Sequence, residues 1–106
     1  MVWKSATVQG NSTVETLSTA LGVVGIKSKA MQVLADALNS GTPLIGGSNI
    51  SPGSASPGVT AVGFPLAKGV ILYLPYASIW SDLYDFDNMY IYVEAGDNVH
   101  ILYEQG

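Results

Sequence analysis

The sequence contains no cysteine and no arginine, and it has few charged residues of any kind. Without cysteine the chain can form no disulfide, and it offers neither a thiolate metal ligand nor a cysteine nucleophile. Lysines are its only permanently positive side chains, and the formal net charge is −4. Because phosphate binding requires clustered cations and base readout relies heavily on Arg, we expect no nucleic-acid partner and no attraction to an acidic membrane surface.

Long apolar runs are also missing. No stretch approaches the roughly 20 residues that a membrane-spanning helix requires. The first ten residues, MVWKSATVQG, lack the apolar region of a signal peptide. We therefore expect no membrane association, and synthesis in a cytoplasm without export by that route.

The remaining composition indicates one domain over residues 1–106 with an unusually neutral surface. Hydrophobic residues make up 48% of the chain and charged residues only 11%, against roughly 25% charged residues in an average soluble domain. Ser, Thr, Asn, Gly and Tyr must therefore cover the surface, or part of the surface must be hidden against other subunits. We expect no cofactor, because the Gly46-Gly47-Ser48 turn lacks the Lys and the helix of a phosphate loop.

Several segments have the pattern of short strands. The first, Val2–Gln9, alternates in polarity, and residues 70–74, VILYL, form an apolar run typical of a central strand covered on both faces. Residues 89–93 and 99–103 alternate on either side of a Gly-containing turn and predict a hairpin. We expect an all-β fold, a small β-sandwich or jelly-roll-like domain of six to eight short strands with at most one short helix.

Three segments are less regular. Residues 27–38 have the composition of a helix but the alternation of a strand, and we favour the strand because the later segments are strand-like. Residues 12–21 suit either a short helix or an irregular edge segment. Residues 51–63 form a Gly/Pro/Ser loop that buries too little surface to offset its ordering, and we expect this loop to be mobile or held by a partner.

Aromatic residues are concentrated in the last third of the chain. A row of them on a sheet could stack against sugars, or it could belong to the core and a subunit interface, where Tyr and Trp are enriched. Tyr90 and Tyr92 point the same way along one strand, opposite to Ile91. Our candidate partner contacts combine these aromatic residues with two serines of the loop: Trp80, Tyr84, Tyr90, Tyr92, Ser54 and Ser56.

The polar candidates for chemistry are few. Asp82, Asp85 and Asp87 could offer oxygen ligands to Ca²⁺, but their spacing is not that of an EF-hand loop, and we interpret them as a solvated turn without a metal. His100 is the sole histidine, and its strand neighbours offer neither a nucleophile nor an orienting group. We interpret it as a strand-surface histidine and expect no catalytic residues.

Two turns and a final strand pair carry a resemblance to a known class of proteins. The motifs are IGGSNIS at residues 45–51, GFPLAKG at residues 63–69, NMYIYV at residues 88–93 and GDNV at residues 96–99. Their succession resembles a pattern of small virion proteins of tailed bacteriophages. The loop at residues 51–63 and the aromatic-acidic segment at residues 76–87 depart from that pattern.

The resemblance implies a non-enzymatic capsid decoration or cement protein that stabilises the shell through subunit contacts. Its implied partners are the major capsid protein or another virion protein, and further copies of itself as a homo-oligomer. Its implied location is the capsid surface of the virion, after synthesis in the host cytoplasm. The alternative is a receptor- or glycan-binding domain of a phage spike or fibre.

Overall fold

The computed structural model describes residues 2–53, 61–74 and 84–105, whose strands form two antiparallel sheets. In this part of the chain the elements are β1 Val2–Gln9, β2 Glu15–Thr16, α1 Leu17–Leu21, β3 Lys27–Ala35, β4 Leu44–Gly46, β5 Phe64–Pro65, β6 Ile71–Leu74, β7 Tyr84–Asp85, β8 Tyr90–Tyr92 and β9 Asn98–Gln105. The predicted all-β fold class is confirmed. Three of these strands, β2, β5 and β7, have only two residues, which explains why the number exceeds the predicted six to eight.

The two sheets differ in size. The larger sheet has the order β1-β9-β3-β6, and β7 pairs with β3 at the end that β6 leaves unpaired. The smaller sheet has the order β2-β8-β4-β5. The described edge strands are therefore β1, β6 and the short β7 in the larger sheet, and β2 and β5 in the smaller one.

The core lies between the inner faces of the two sheets. The Phe86 ring packs edge-on against the Tyr103 ring, with the centroids 5.0 Å apart and the planes at 70°, a favourable aromatic geometry. Leu17 brings the short helix into the same cluster. The buried residues of this core are Val8, Leu17, Met31, Val33, Ala35, Ile45, Leu66, Phe86, Ile91, Val93, Val99, Ile101 and Tyr103.

Residues 27–35 form a strand and not a helix, as the alternation of their side chains predicts. In β3, Met31, Val33 and Ala35 are buried while the residues between them are partly exposed. β3 is hydrogen-bonded to β9 on one side and to β6 and β7 on the other. Pairing on both sides thus overrides the helical propensity of Ala, Met, Gln and Leu.

Residues 12–21 combine the two alternatives. The segment begins with the two-residue strand β2 and continues as the helix α1. The Thr16 hydroxyl caps this helix by accepting from the Thr19 N–H at 3.1 Å, and Gly22 ends it in the left-handed conformation, with φ of 69°. Across the described residues, no helix is long and apolar enough to cross a membrane.

The predicted hairpin of residues 89–103 is wrong. β8 belongs to the smaller sheet, where it pairs with β2 and β4, whereas β9 pairs with β1 and β3 in the larger sheet. The turn at Gly96, with φ of 90°, carries the chain from one sheet to the other. Ile91 and Ile101 therefore enter the same core from opposite sheets instead of lying side by side on one sheet.

The prediction that residues 70–74 form a central strand is also wrong. Among the described residues, β6 pairs with β3 alone and therefore lies at an edge of the larger sheet. Ile71 and Tyr73 are 40% and 64% exposed on the outer face. A continuous apolar run predicts burial on both faces, but the described residues cover only the inner one.

The predicted loop has fixed ends. Ser51 and Val62 form an isolated antiparallel bridge, with N–H to carbonyl distances of 2.8 Å in both directions. Ile50 is buried beside this bridge, and Gly63 has φ of 135°, a conformation that favours glycine. The predicted mobility concerns mainly residues 54–60, which lie outside the described residues.

Asp97 fixes the turn that follows β3. Its carboxylate accepts from the backbone N–H groups of Ser40 at 2.9 Å and Gly41 at 2.8 Å. These two bonds hold the pKa of Asp97 below its usual range, since they stabilise the charged form. Asn39 and Asn98 add a reciprocal pair of bonds of 2.9 and 2.8 Å beside them. The sequence Gly96-Asp97-Asn98 therefore turns the chain and also holds the loop at residues 39–41 in place.

Candidate functional site

The outer face of the larger sheet, turned away from the core, carries the most prominent group of exposed apolar side chains in the described chain. Strand register places its side chains in two neighbouring rows that cross β1, β9, β3 and β6. The rows are Ser5, Leu102, Gln32 and Tyr73, followed by Thr7, His100, Leu34 and Ile71. Together with Trp3 at the β1 edge, we call these nine residues the outer face.

Four members of the outer face leave much of their side chains in contact with solvent. Trp3 is 48% exposed and Leu102 is 37% exposed, in addition to the exposed Ile71 and Tyr73. A shallow depression of about 500 Å³ is lined by Leu102 and Ile71, and Leu34 and Gln32 also contribute to its lining. The surface is therefore broad and mostly apolar, with Trp3 near one edge of the sheet and Tyr73 at the other.

A small polar cluster lies within this apolar surface. His100 Nε2 lies 2.9 Å from Asp36 Oδ2, and His100 Nδ1 lies 3.1 Å from the Thr7 hydroxyl. The bond from His100 holds the pKa of Asp36 below its usual value, and the Leu38 N–H, which donates to Asp36 Oδ1 at 2.9 Å, acts in the same direction. The imidazole is thus held in place from both sides.

His100 lies on the sheet surface, as predicted, but it has two partners that its neighbours in the sequence do not provide. Both partners come from neighbouring strands, because Thr7 is its register partner on β1 and Asp36 follows β3. A hydroxyl, an imidazole and a carboxylate in this order are the parts of a nucleophilic triad. However, such a triad acts in a site that excludes water and supplies oxyanion donors, and Thr7 lies exposed on an open sheet.

Two of the predicted partner contacts lie on the opposite side of the molecule. Tyr90 and Tyr92 project from β8 on the outer face of the smaller sheet, while Ile91 between them is buried, as the alternation predicts. Both tyrosines are half-buried. Tyr92 lines a depression of about 300 Å³ together with Pro52 and Pro65.

Tyr84 lies in a third place, a groove between the two sheets. This inter-sheet groove has a volume of about 470 Å³, and β6 contributes Leu72 and Leu74 to its lining. Its lining is mostly apolar and comes from both sheets: Ile45, Gly46, Phe64, Leu72, Leu74, Tyr84, Asp85, Asn88 and Met89. The remaining predicted contacts, Trp80, Ser54 and Ser56, lie outside the described residues. The structure thus does not bring the described candidates Tyr84, Tyr90 and Tyr92 together in one site.

The acidic segment after β7 forms a turn. Asp85 accepts from the Asp87 N–H at 3.0 Å and from the Asn88 side chain at 2.9 Å, and Asp87 accepts a hydrogen bond from the Ser18 hydroxyl. Asp82 lies outside the described residues. Among the residues that the structure describes, no group of three or more His, Cys, Asp or Glu side chains could hold a metal ion.

Comparison with known proteins gives no further guidance. No protein-family model, no curated protein and no solved structure matches this chain. Function must therefore be inferred from the surfaces described above. The outer face is the feature that sequence reasoning missed: its aromatic ends, Trp3 and Tyr73, are separated in sequence and meet on one surface only through the order of the strands.

Proposed function

We propose that this chain is a non-enzymatic structural protein of a bacteriophage virion, which attaches to the capsid surface through its outer face. The observation that supports this proposal is the exposure of Trp3, Ile71, Tyr73 and Leu102 on one sheet face. A contiguous exposed apolar patch on a small soluble domain marks a site of interaction with another protein or surface. The partner is the major capsid protein or another protein of the virion.

The chemistry of the outer face suits a protein partner. Its nine residues include no Lys, Asp or Glu, and the one carboxylate described within this surface is that of Asp36, which is paired with His100. The interiors of protein interfaces are depleted in charged residues and enriched in aromatic ones. Trp3 and Tyr73 lie at opposite sides of the sheet and provide two aromatic anchors. Trp and Tyr are enriched among the few interface residues whose truncation costs about 2 kcal/mol or more.

The polar cluster of Thr7, His100 and Asp36 has a recognition role in this proposal. A polar group held in a fixed orientation within an apolar surface specifies how the partner must be placed, because an unmatched polar group costs about 1–3 kcal/mol when it is buried. The Thr7 hydroxyl and the imidazole are therefore positioned to meet a polar group of the capsid protein. Catalysis is not assigned to the cluster.

Binding to empty capsids of the phage that encodes the chain tests this function. We expect saturable binding with a fixed ratio of chain to capsid subunit, and a higher temperature of capsid disruption. Trp3→Ala and Tyr73→Ala should each weaken binding at least tenfold, as expected for loss of about 1.4 kcal/mol or more. The matched control is Val24→Ala, which removes a side chain that is 90% exposed outside the outer face and should leave binding unchanged.

The alternative, a receptor- or glycan-binding domain of a spike or fibre, has one observation in its favour. Gln32 lies in the depression beside Tyr73, and an aromatic ring next to an amide suits a sugar. A glycan array probed with the same variants separates the two functions. Glycan binding that requires Tyr73, without any binding to capsids, would overturn capsid attachment.

A further inference from the structure

We propose that two copies of this chain pair through the free edge of β6, so that their larger sheets join into one continuous sheet. Among the described residues, nothing pairs with the edge of β6 that faces away from β3. An open strand edge presents unpaired N–H and C=O groups that another strand can bind. Pairing uses the backbone of β6, whereas the outer face presents the Ile71 and Tyr73 side chains of the same strand, so the pairing does not depend on capsid attachment.

β6 differs from the other four described edge strands in having no protection against pairing. Natural sheets block their edges with charged residues, proline or very short strands. β1 carries Lys4 within its length, and the other three are two residues long. β2 contains Glu15, β5 contains Pro65 and β7 contains Asp85. β6 contains only Ile, Leu, Tyr and Leu, so among the described edge strands it is the one that can accept another strand.

Charge identifies a second copy as a suitable occupant of this edge. Each chain has a formal net charge of −4, so two copies repel one another wherever acidic side chains meet. Residues 61–74 contain no Asp or Glu, and Lys68 is their only charged residue. Within these residues two copies can therefore meet without placing one acidic group against another, while Asp85 of β7 lies farther along the same side of β3.

The sequence of this edge is also compatible with itself. In an antiparallel pair, opposite residues point to the same side of the sheet. A two-fold axis at Leu72 satisfies this rule, since it places Ile71 opposite Tyr73 of the second copy and Val70 opposite Leu74. The outward pair then joins a β-branched residue to an aromatic one, a combination that stabilises antiparallel strands. Pro75, which has no N–H, follows directly and limits the paired stretch to residues 70–74.

A second strand paired with β6 would lie next to the inter-sheet groove and cover apolar surface there. Leu72 and Leu74 line this groove beside the β6 edge. In the proposed register the Leu72 and Leu74 side chains of the second copy continue the inner face of the same sheet, next to the groove. Pairing would thus remove apolar surface of both copies from water, in addition to forming backbone hydrogen bonds.

Single cysteines test the pairing directly, since the chain has none of its own. Opposite residues of an antiparallel pair have Cα atoms about 4.5–5.5 Å apart, within the range that a disulfide spans. We expect Leu72→Cys to form an intermolecular disulfide under mild oxidation at least tenfold faster than Trp3→Cys or Val24→Cys. Equal rates for the three variants would overturn the proposed edge.

A mixing experiment tests the register with substitutions at exposed positions, which do not endanger the fold. Ile71→Cys and Tyr73→Cys are mixed in equal amounts and oxidised, and the products are separated by mass. We expect the mixed disulfide to exceed the statistical half of the product, because residue 71 of one copy lies opposite residue 73 of the other. A statistical mixture would contradict this register.

Light scattering measures the assembly itself. We expect a mass of twice 11.1 kDa for the natural sequence at about 100 μM, and a monomer for Ile71→Lys, which places a charge on the edge. A natural sequence that stays monomeric would refute the dimer. If such a monomer still bound capsids, the proposed function would be supported without the dimer. If the chain formed a dimer but did not bind capsids, only the dimer would be supported.

Discussion

Removing the Phe86 ring should be among the most damaging single changes in this fold. Phe86 is fully buried and packs against Tyr103. Its N–H donates to the Ile26 carbonyl at 3.0 Å, and its carbonyl accepts from the Ser18 N–H at 3.1 Å. Because the backbone is tied on both sides, the site cannot readily collapse, and Phe86→Ala should cost about 3–5 kcal/mol. Whole domains are stable by only about 5–15 kcal/mol.

Urea denaturation followed by circular dichroism gives the test. With a slope of about 2 kcal/mol per molar urea, a loss of about 4 kcal/mol lowers the midpoint by about 2 M. Leu38→Ala serves as the control, since Leu38 is 93% exposed and its removal should change stability by less than about 0.5 kcal/mol. If Phe86→Ala lost less than about 1 kcal/mol, the ring could not occupy the centre of the core.

A double-mutant cycle separates the ring contact from burial. Phe86→Leu and Tyr103→Leu each keep an apolar side chain but remove one ring of the edge-on pair. We expect a coupling free energy of about 0.5–1.5 kcal/mol between the two changes, the usual value for such a pair. Additive effects would mean that the rings contribute by burial alone.

Two further predictions concern the turns. The N–H groups of Ser40 and Gly41 lower the pKa of Asp97 in the folded chain. The charged carboxylate should therefore stabilise the fold at pH values above the ordinary aspartate pKa of 3.8. This stabilisation should be lost as the pH falls through the lower pKa that Asp97 has in the folded chain. The urea midpoint of Asp97→Asn should therefore fall less between pH 5 and about pH 2 than that of the natural chain; equal slopes would contradict the contact. Gly63→Ala should cost about 1–3 kcal/mol, because φ is 135° and a Cβ would lie 3.1 Å from Ile50 Cγ2. Gly47→Ala, whose Cβ would lie 3.6 Å from the nearest atom, should change stability by less than about 1 kcal/mol in the same denaturation assay.

Local patterns predict individual strands but not the sheets to which they belong. The alternation of residues 27–35 identifies β3 correctly despite its helical composition. The turn at Gly96 is also recognisable, but a turn signal specifies only that the chain reverses. It does not say whether β8 and β9 pair with each other or pass to opposite sheets, since both arrangements bury Ile91 and Ile101.

The outer face could not be predicted because it depends on strand order. Thr7 and His100 are 93 positions apart, and Asp36 reaches the imidazole from the end of a third strand. Each of these residues, viewed among its sequence neighbours, is an ordinary polar side chain on a strand or turn. Only the register of β1, β9 and β3 brings them together, and register is fixed by burial of the opposite face.

The wrong prediction for β6 has a physical meaning of its own. The apolar run of residues 70–74 is typical of a strand with neighbours on both sides and cover on both faces. A single chain provides β3 on one side and the core on one face, and its described residues leave the other edge and the outer face open. Pairing with a second copy would supply the missing neighbour, and attachment to the capsid would cover the outer face. In such an assembly β6 would be a central strand, which its apolar composition suits. The conflict between its sequence and its edge position would then concern only the isolated chain.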